Sequence, residues 1–156
     1  MVKTEIPGHG ELAIRYLVLD YNGTLAVDGE PLPGVKKALT ALSGDVEVHI
    51  LTADTFGKVR SRMAEVPCVI SVLPPGGQDK GKLDYITRLG PRQTACIGNG
   101  RNDRLMLKEA ALGIAVILGE GASTETLLAA DVVCTDILSA LELLNHPLRL
   151  TATLRT

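Results

Sequence analysis

Short apolar runs alternate along this chain with stretches whose apolar positions recur at helical spacing. The first run, over 14–21, reads as a strand and ends abruptly on Asp20, Tyr21 and Asn22. Leu25-Ala26-Val27 and Glu30-Pro31-Leu32 flank Asp28-Gly29, the signature of a small hairpin. Pro33-Gly34 opens a helix with Val35, Ala38, Leu39 and Leu42 on one face, and Gly44 closes it. A strand over 46–51 ends in Thr52. Asp54 then caps a helix with Val59 and Met63 inward, stopped by Pro67. Further elements follow in order: strand 68–73, helix 79–89, strand 94–98, a turn over 99–102, helix 103–112 and strand 114–118. A short helix over 124–130, a strand over 131–134 and a helix capped by Asp136, running through Leu144 to Pro147, complete the pattern. Residues 1–12 read as an arm or short edge strand, and the tail 147–156 shows no clear element.

Strands alternating with helices predict an α/β fold: three layers, Rossmann-like, around a mostly parallel sheet of about six strands. Ligands in such sheets bind where strands end at their carboxyl edge. Three loops that follow strands carry unusual polar residues there: Asp20 with Asn22, Thr52, and Asn99 with Asp103. A buried strand that finishes on a carboxylate implies a cleft, which makes Asp20 the first candidate for a reacting group. The hairpin beside it is a candidate flap.

Composition narrows the function classes. A hydrophobic fraction of 46% supports a full core, and 156 residues suit one domain, 1–156. A net charge of −2 gives no sign of a nucleic-acid partner. No apolar run approaches a membrane span, and no signal-peptide pattern opens the chain. Cys68, Cys96 and Cys134 are far apart in apolar contexts, as expected of buried free thiols in a cytoplasmic protein. Aromatic residues are 3% of the chain, so an extensive ring clamp is not expected; Tyr16, Tyr21, Phe56 and Tyr85 are the only candidates.

Asp20-Tyr21-Asn22-Gly23-Thr24-Leu25 resembles the first motif, Asp-x-Asp-Gly-Thr, of the haloacid dehalogenase (HAD) superfamily. Gly98-Asn99-Gly100-Arg101-Asn102-Asp103 resembles its fourth motif, Gly-Asp-Gly-x-Asn-Asp. Arg104-Leu105-Met106-Leu107, Ala111 to Val116 and Ala130-Asp131-Val132-Val133 continue that pattern. The resemblance covers about 14–145 and is greatest to small soluble proteins related to the phosphorylation domain of P-type ATPases. It implies that Asp20 attacks phosphorus to form an aspartyl-phosphate. Gly23, Thr52, Ala53 and a lysine would bind the phosphoryl group. Asp20, the backbone carbonyl of Asn22, Asn99 and Asp103 would hold Mg2+. Lys80 and Lys82 both suit the lysine; Lys82, immediately before the inward-facing Leu83, is preferred. Neither the Asp20–Thr52 nor the Thr52–Lys82 interval holds a cap domain, so the site is expected to be capless. Access would then be restricted by homo-oligomerisation or by a large phosphorylated substrate.

Two positions depart from the pattern. Asn22 stands where the resemblance expects the general acid/base Asp, and Asn99 where it expects a metal-binding Asp. An amide cannot donate and retrieve a proton as a carboxyl group does. A positioned acid/base is worth about 10²- to 10⁴-fold in rate. The expected function is therefore a slow Mg-dependent phosphohydrolase or phosphotransferase. P-type ATPases, with Thr at that position, likewise keep a persistent phosphoenzyme. The alternative is a weakened descendant that binds a phosphorylated ligand or partner protein. A receiver-like signalling domain would share the Asp and Lys logic but not the Gly-x-Gly-x-Asn-Asp turn. The apolar and basic tail either packs on its own domain or reaches a neighbouring subunit's site, its arginines meeting phosphate.

Overall fold

The computed structural model describes residues 1–54 and 57–156. Its centre is a six-stranded, fully parallel sheet. The strands are β3 (Tyr16–Asp20), β6 (Glu47–Thr52), β7 (Val69–Val72), β8 (Thr94–Gly98), β9 (Leu112–Val116) and β10 (Val132–Cys134). Their order in space is β10-β9-β8-β3-β6-β7. From β3 the chain winds outward through β6 to β7, then returns to lay β8 against the other side of β3 and winds out through β9 to β10. That reversal opens a crevice at the carboxyl ends of β3 and β8. Asp20 ends one of these strands, and Asn99 follows the other.

The apolar run of β3 reads as a buried strand because both of its faces are covered. Leu17 and Leu19 join the larger core with Leu39, Ile50, Ile97 and Leu141. Val18 joins the smaller one with Leu51, Ile86, Cys96 and Met106. Side chains alternate across a strand, so Asp20 leaves the sheet on the face of Val18. That face is packed by α3 (Gln78–Leu89) and α4 (Arg104–Glu109). The other face carries α1 (Val35–Leu42) and α6 (Ile137–Asn145), the latter capped by Asp136 as its sequence implied.

The short hairpin β4 (Ala26–Val27) and β5 (Glu30–Pro31) forms beside the end of β3, across Asp28-Gly29. The helix with inward Val59 is α2 (Lys58–Arg62); the Asp54 carboxylate accepts the Val59 N–H at 2.8 Å. The short helix after β9 is α5 (Thr124–Ala129).

Three expectations need correction, and one open alternative is decided. The run over 14–21 is two strands: β2 (Gly10–Ile14) ends at Ile14, and Arg15 separates it from β3 through backbone bonds to Gln93 and Glu47. Of the two readings of residues 1–12, an arm or a short edge strand, the strand is what forms: β1 (Val2–Ile6) pairs antiparallel with β2. The expected helix 103–112 starts as a 3-10 turn, Arg101–Asp103, and ends earlier, at Glu109; β9 consequently starts at Leu112. A Cβ on Gly113 would lie 2.3 Å from the Leu107 carbonyl, so α4 descends directly onto this strand. The tail forms α7 (Pro147–Leu154), with proline at the first helical position, where its missing N–H costs nothing. Its Leu150 is buried in the larger core, and the Thr156 N–H bonds the Pro7 carbonyl at 3.2 Å. Among the described residues, no helix is long and apolar enough to cross a membrane.

Candidate active site

The pleat of β3 delivers the Asp20 carboxylate to the side of α3, one face of which carries Lys82 inward. Lys82 is buried, and its Nζ donates to Asp20 Oδ1 at 2.7 Å and to Asp103 Oδ1 at 2.6 Å. Lys80 is exposed, and its backbone N–H is held by the Asp79 carboxylate. Of the two candidate lysines, Lys82 is therefore the one at the Asp20 carboxylate.

Asp103 reaches the same point from the turn after β8. Its second oxygen accepts the backbone N–H groups of Asn99 at 2.9 Å and Gly100 at 2.8 Å. This fold-back needs glycine at 98, because a Cβ there would sit 2.5 Å from the Asp103 carboxyl carbon. Asp103 is fully buried with three charge-assisted or backbone hydrogen bonds, which is how a buried carboxylate is stabilised.

Two carboxylates therefore share one ammonium. Burial, and then the facing Asp103 charge, push the Asp20 pKa up to about 7 against the opposing pull of Lys82. Burial disfavours the Lys82 ammonium, but the two carboxylates and their hydrogen bonds together hold its pKa above the ordinary value. With both carboxylates ionised, the cluster is one positive charge short of neutrality.

Asn99 lies in a different environment. Its Oδ1 accepts the Thr24 hydroxyl at 3.2 Å, and its Nδ2 donates to the Gly121 carbonyl at 2.9 Å. The amide thus clasps the first loop, the fourth loop and the segment before α5. Gly23 completes the fit: its φ is +78°, and a Cβ there would lie 2.3 Å from Asn99 Nδ2. Thr24 and Gly121 were not among the sequence-derived site residues. Thr24 lies within the first motif, whereas nothing around Gly121 marked it.

Asn22 is exposed, and among the described residues its side chain makes no hydrogen bond. Thr52 is buried at the end of β6, where its Oγ1 accepts the Asp54 N–H at 3.1 Å; Ala53 beside it is exposed. A cavity of about 350 Å³ opens against Asn22 and Ala53, walled by Tyr21, Asp28, Lys58 and Arg62. The Tyr21 hydroxyl donates to the Gly29 carbonyl at 3.1 Å, and Arg62 pairs with Glu30 on the hairpin. Tyr16 and Tyr85 lie elsewhere, edge-on to His49. Phe56, the remaining aromatic candidate, lies outside the described residues.

The sequence was also compared with known proteins. No protein-family model matches the chain. Over 74 residues it is 52% identical to the uncharacterized protein MJ0073 of Methanocaldococcus jannaschii, a match that covers 80% of that protein and 47% of this chain. The chain belongs to the family of this archaeal protein. Among solved structures it is similar to a HAD superfamily hydrolase of subfamily III A from Legionella pneumophila. The TM-score is 0.73 at 18% identity, over 90% of this chain and 87% of that one. It is also similar to the 3-deoxy-D-manno-octulosonate 8-phosphate phosphatase of Moraxella catarrhalis, solved with magnesium, phosphate and the KDO molecule. There the TM-score is 0.71 at 21% identity, covering 91% of this chain and 94% of that one. At such identities the likeness is one of fold, and the fold is that of the HAD hydrolases. A zinc-transporting PIB-type ATPase shares 26% identity at a TM-score of 0.63, over 78% of this chain but 20% of the ATPase.

Proposed function

We propose that the protein is a slow, magnesium-dependent phosphohydrolase or phosphotransferase of the capless group related to the P-type ATPase phosphorylation domain. The carrying observation is the buried Lys82 ammonium, held within 2.7 Å of Asp20 at the crevice of a HAD-type sheet. An Asp20 oxygen attacks phosphorus, the bond from phosphorus to the leaving oxygen breaks, and an aspartyl-phosphate forms. Lys82, the Thr52 hydroxyl and the backbone around Gly23 and Ala53 receive the phosphoryl oxygens. Water then attacks phosphorus, releasing phosphate and regenerating Asp20. The leaving group occupies the cavity beside Asn22. With an amide at Asn22, the leaving oxygen takes its proton from water, and the water that attacks in the second step has no general base. Both omissions slow turnover.

The donor chemistry suits magnesium. Every candidate ligand is an oxygen, and the carboxylate pair lacks one compensating positive charge. Among the described residues, no group of three or more His, Cys, Asp or Glu side chains is placed to hold a metal, so neutral oxygens must complete the shell. Asp20, the Asn22 carbonyl and Asn99 would bind it. Asp103, whose carboxylate also positions Lys82, would be the remaining ligand. The bound ion would neutralise charge on the transferring phosphoryl group.

Phosphate release from an aryl phosphate tests this reading with wild type, Asp20→Asn and Asn22→Asp, each with and without magnesium. Wild type should turn over slowly and only with magnesium, Asp20→Asn not at all, and Asn22→Asp faster. Intact-mass detection of a phosphoryl adduct on wild type but not on Asp20→Asn would supply the intermediate. An inert, folded wild type with no adduct, together with an inert Asn22→Asp, would leave the alternative of a protein that only binds phosphorylated ligands or partners.

A further inference from the structure

Four asparagines occur in the chain, at 22, 99, 102 and 145, and two of them precede glycine. Those two are Asn22 and Asn99, the same residues that replace carboxylates in the motifs. An Asn-Gly pair carries its own chemistry. The glycine nitrogen can attack the asparagine Cγ, a ring closure favoured because the reactants are already joined. Glycine has no Cβ to obstruct the approach.

We propose that Asn22-Gly23 is a self-modification site, at which deamidation of Asn22 to aspartate installs the missing general acid/base. The inference rests on the phosphatase reading of Asp20. In the first step the bond from Gly23 nitrogen to Asn22 Cγ forms and the bond from Cγ to Nδ2 breaks. Nδ2 departs as ammonia, carrying away the proton of the Gly23 amide. Water then opens the resulting succinimide. Attack at Cγ restores the peptide bond and leaves an aspartate side chain in place of the amide, so the net change is one water consumed and one ammonia released. Attack at the backbone carbonyl gives the isoaspartyl chain instead, which displaces the carboxylate and does not serve.

The structure separates the two asparagines. Asn99 is 8% exposed, both ends of its amide are hydrogen-bonded, and the Gly100 N–H is committed to Asp103 Oδ2 at 2.8 Å. It is protected. Asn22 is exposed, with a side chain that makes no hydrogen bond among the described residues. The Gly23 N–H donates to the Ala26 carbonyl at 2.7 Å, so the nitrogen becomes available only when the turn opens. This restraint makes the conversion slow, a property of the protein's age. The product is well accommodated. A carboxylate at this position lies in solvent beside the cavity, two residues from Asp20, and carries no burial cost.

The test holds purified wild type, Asn22→Asp and Asn22→Gln at mildly alkaline pH and physiological temperature for days, with an Asn-Gly reference peptide in the same tube. Samples are read by peptide mapping and by magnesium-dependent phosphate release. The tryptic peptide 16–36 should acquire the amide-to-acid mass gain while 93–101 does not. Activity should rise with the aspartyl fraction toward the Asn22→Asp rate, about 10²- to 10⁴-fold above fresh protein. Asn22→Gln, whose longer side chain closes a ring poorly, should gain neither mass nor activity. The inference is overturned if peptide 16–36 stays unchanged while the reference deamidates, or if it converts without a rise although Asn22→Asp is active. An inactive Asn22→Asp would instead overturn the phosphatase reading itself, and with it the role given to deamidation.

Discussion

The two asparagines that stand where the resembled motifs carry aspartate occupy opposite kinds of ground. Asn99 sits under Gly23 and ties three loops together through both ends of its amide. Asn22, on the neighbouring loop, is exposed, and its side chain holds nothing among the described residues. The same substitution in the sequence therefore has two physical meanings. At 99 the amide is held from both ends, and a carboxylate could not donate to the Gly121 carbonyl. At 22 the fold makes no use of the amide: the side chain is exposed and makes no hydrogen bond among the described residues. The difference follows from the surroundings. Asn99 meets Thr24 and Gly121, whereas Asn22 lies at the wall of the open cavity.

The strongest way to break this picture is to remove the charge both loops share. Lys82→Met should destabilise the fold by about 3–5 kcal/mol, because two buried carboxylates lose their partner, and should abolish phosphoryl transfer. Urea denaturation and phosphate release would measure both. Next in size is Asn99→Asp. Without divalent metal it places a carboxylate against the Gly121 carbonyl and should cost about 1–3 kcal/mol. Excess magnesium should recover part of that loss, seen as a shift of the urea midpoint between EDTA and magnesium buffers. Gly23→Ala probes the same clasp from the other side: the Cβ at 2.3 Å from Asn99 Nδ2 and the positive φ should together cost about 1–3 kcal/mol. By contrast, Asn22→Asp should change stability by no more than about 0.5 kcal/mol. A large loss there would abolish the distinction between the two sites.

The smallest effect concerns α3 itself. His49 Nδ1 pairs with the Tyr85 hydroxyl at 2.8 Å, one helical turn beyond Lys82. Burial holds the His49 pKa below its ordinary value against the nearby Glu47 carboxylate. The unfolded chain therefore binds the proton first. Stability from this group is full above the unfolded value near 6.5 and falls as pH drops below it, levelling once the folded histidine is protonated. The melting temperature of wild type should thus fall more between neutral and mildly acid pH than that of His49→Asn. Parallel curves would remove His49 from the account.

The sequence already contained most of this molecule. Apolar runs bounded by Asp, Thr and Gly located the six sheet strands, and their alternation with helices required the parallel arrangement, because parallel neighbours need crossovers. Asp20 stood out because a buried strand ended on a charge, and Lys82 was preferred over Lys80 by its register with Leu83. Local pattern failed where stability comes from remote contacts. The tail forms α7 because Leu150 has a core to enter and the N-terminal hairpin to lie against. Neither is visible in the tail's own residues. Arg15 divides an apolar run because its backbone bonds to Gln93 and Glu47, both far away in sequence. Which of the two amides the fold holds was not legible in one dimension, since each precedes glycine and each stands where the resembled motif has an acid. Only the tertiary structure separated them. Whether an amide is locked or free depends on which carbonyls and hydroxyls the folded chain brings within about 3 Å of it, and Gly121 and Thr24 meet Asn99 only once the sheet has formed.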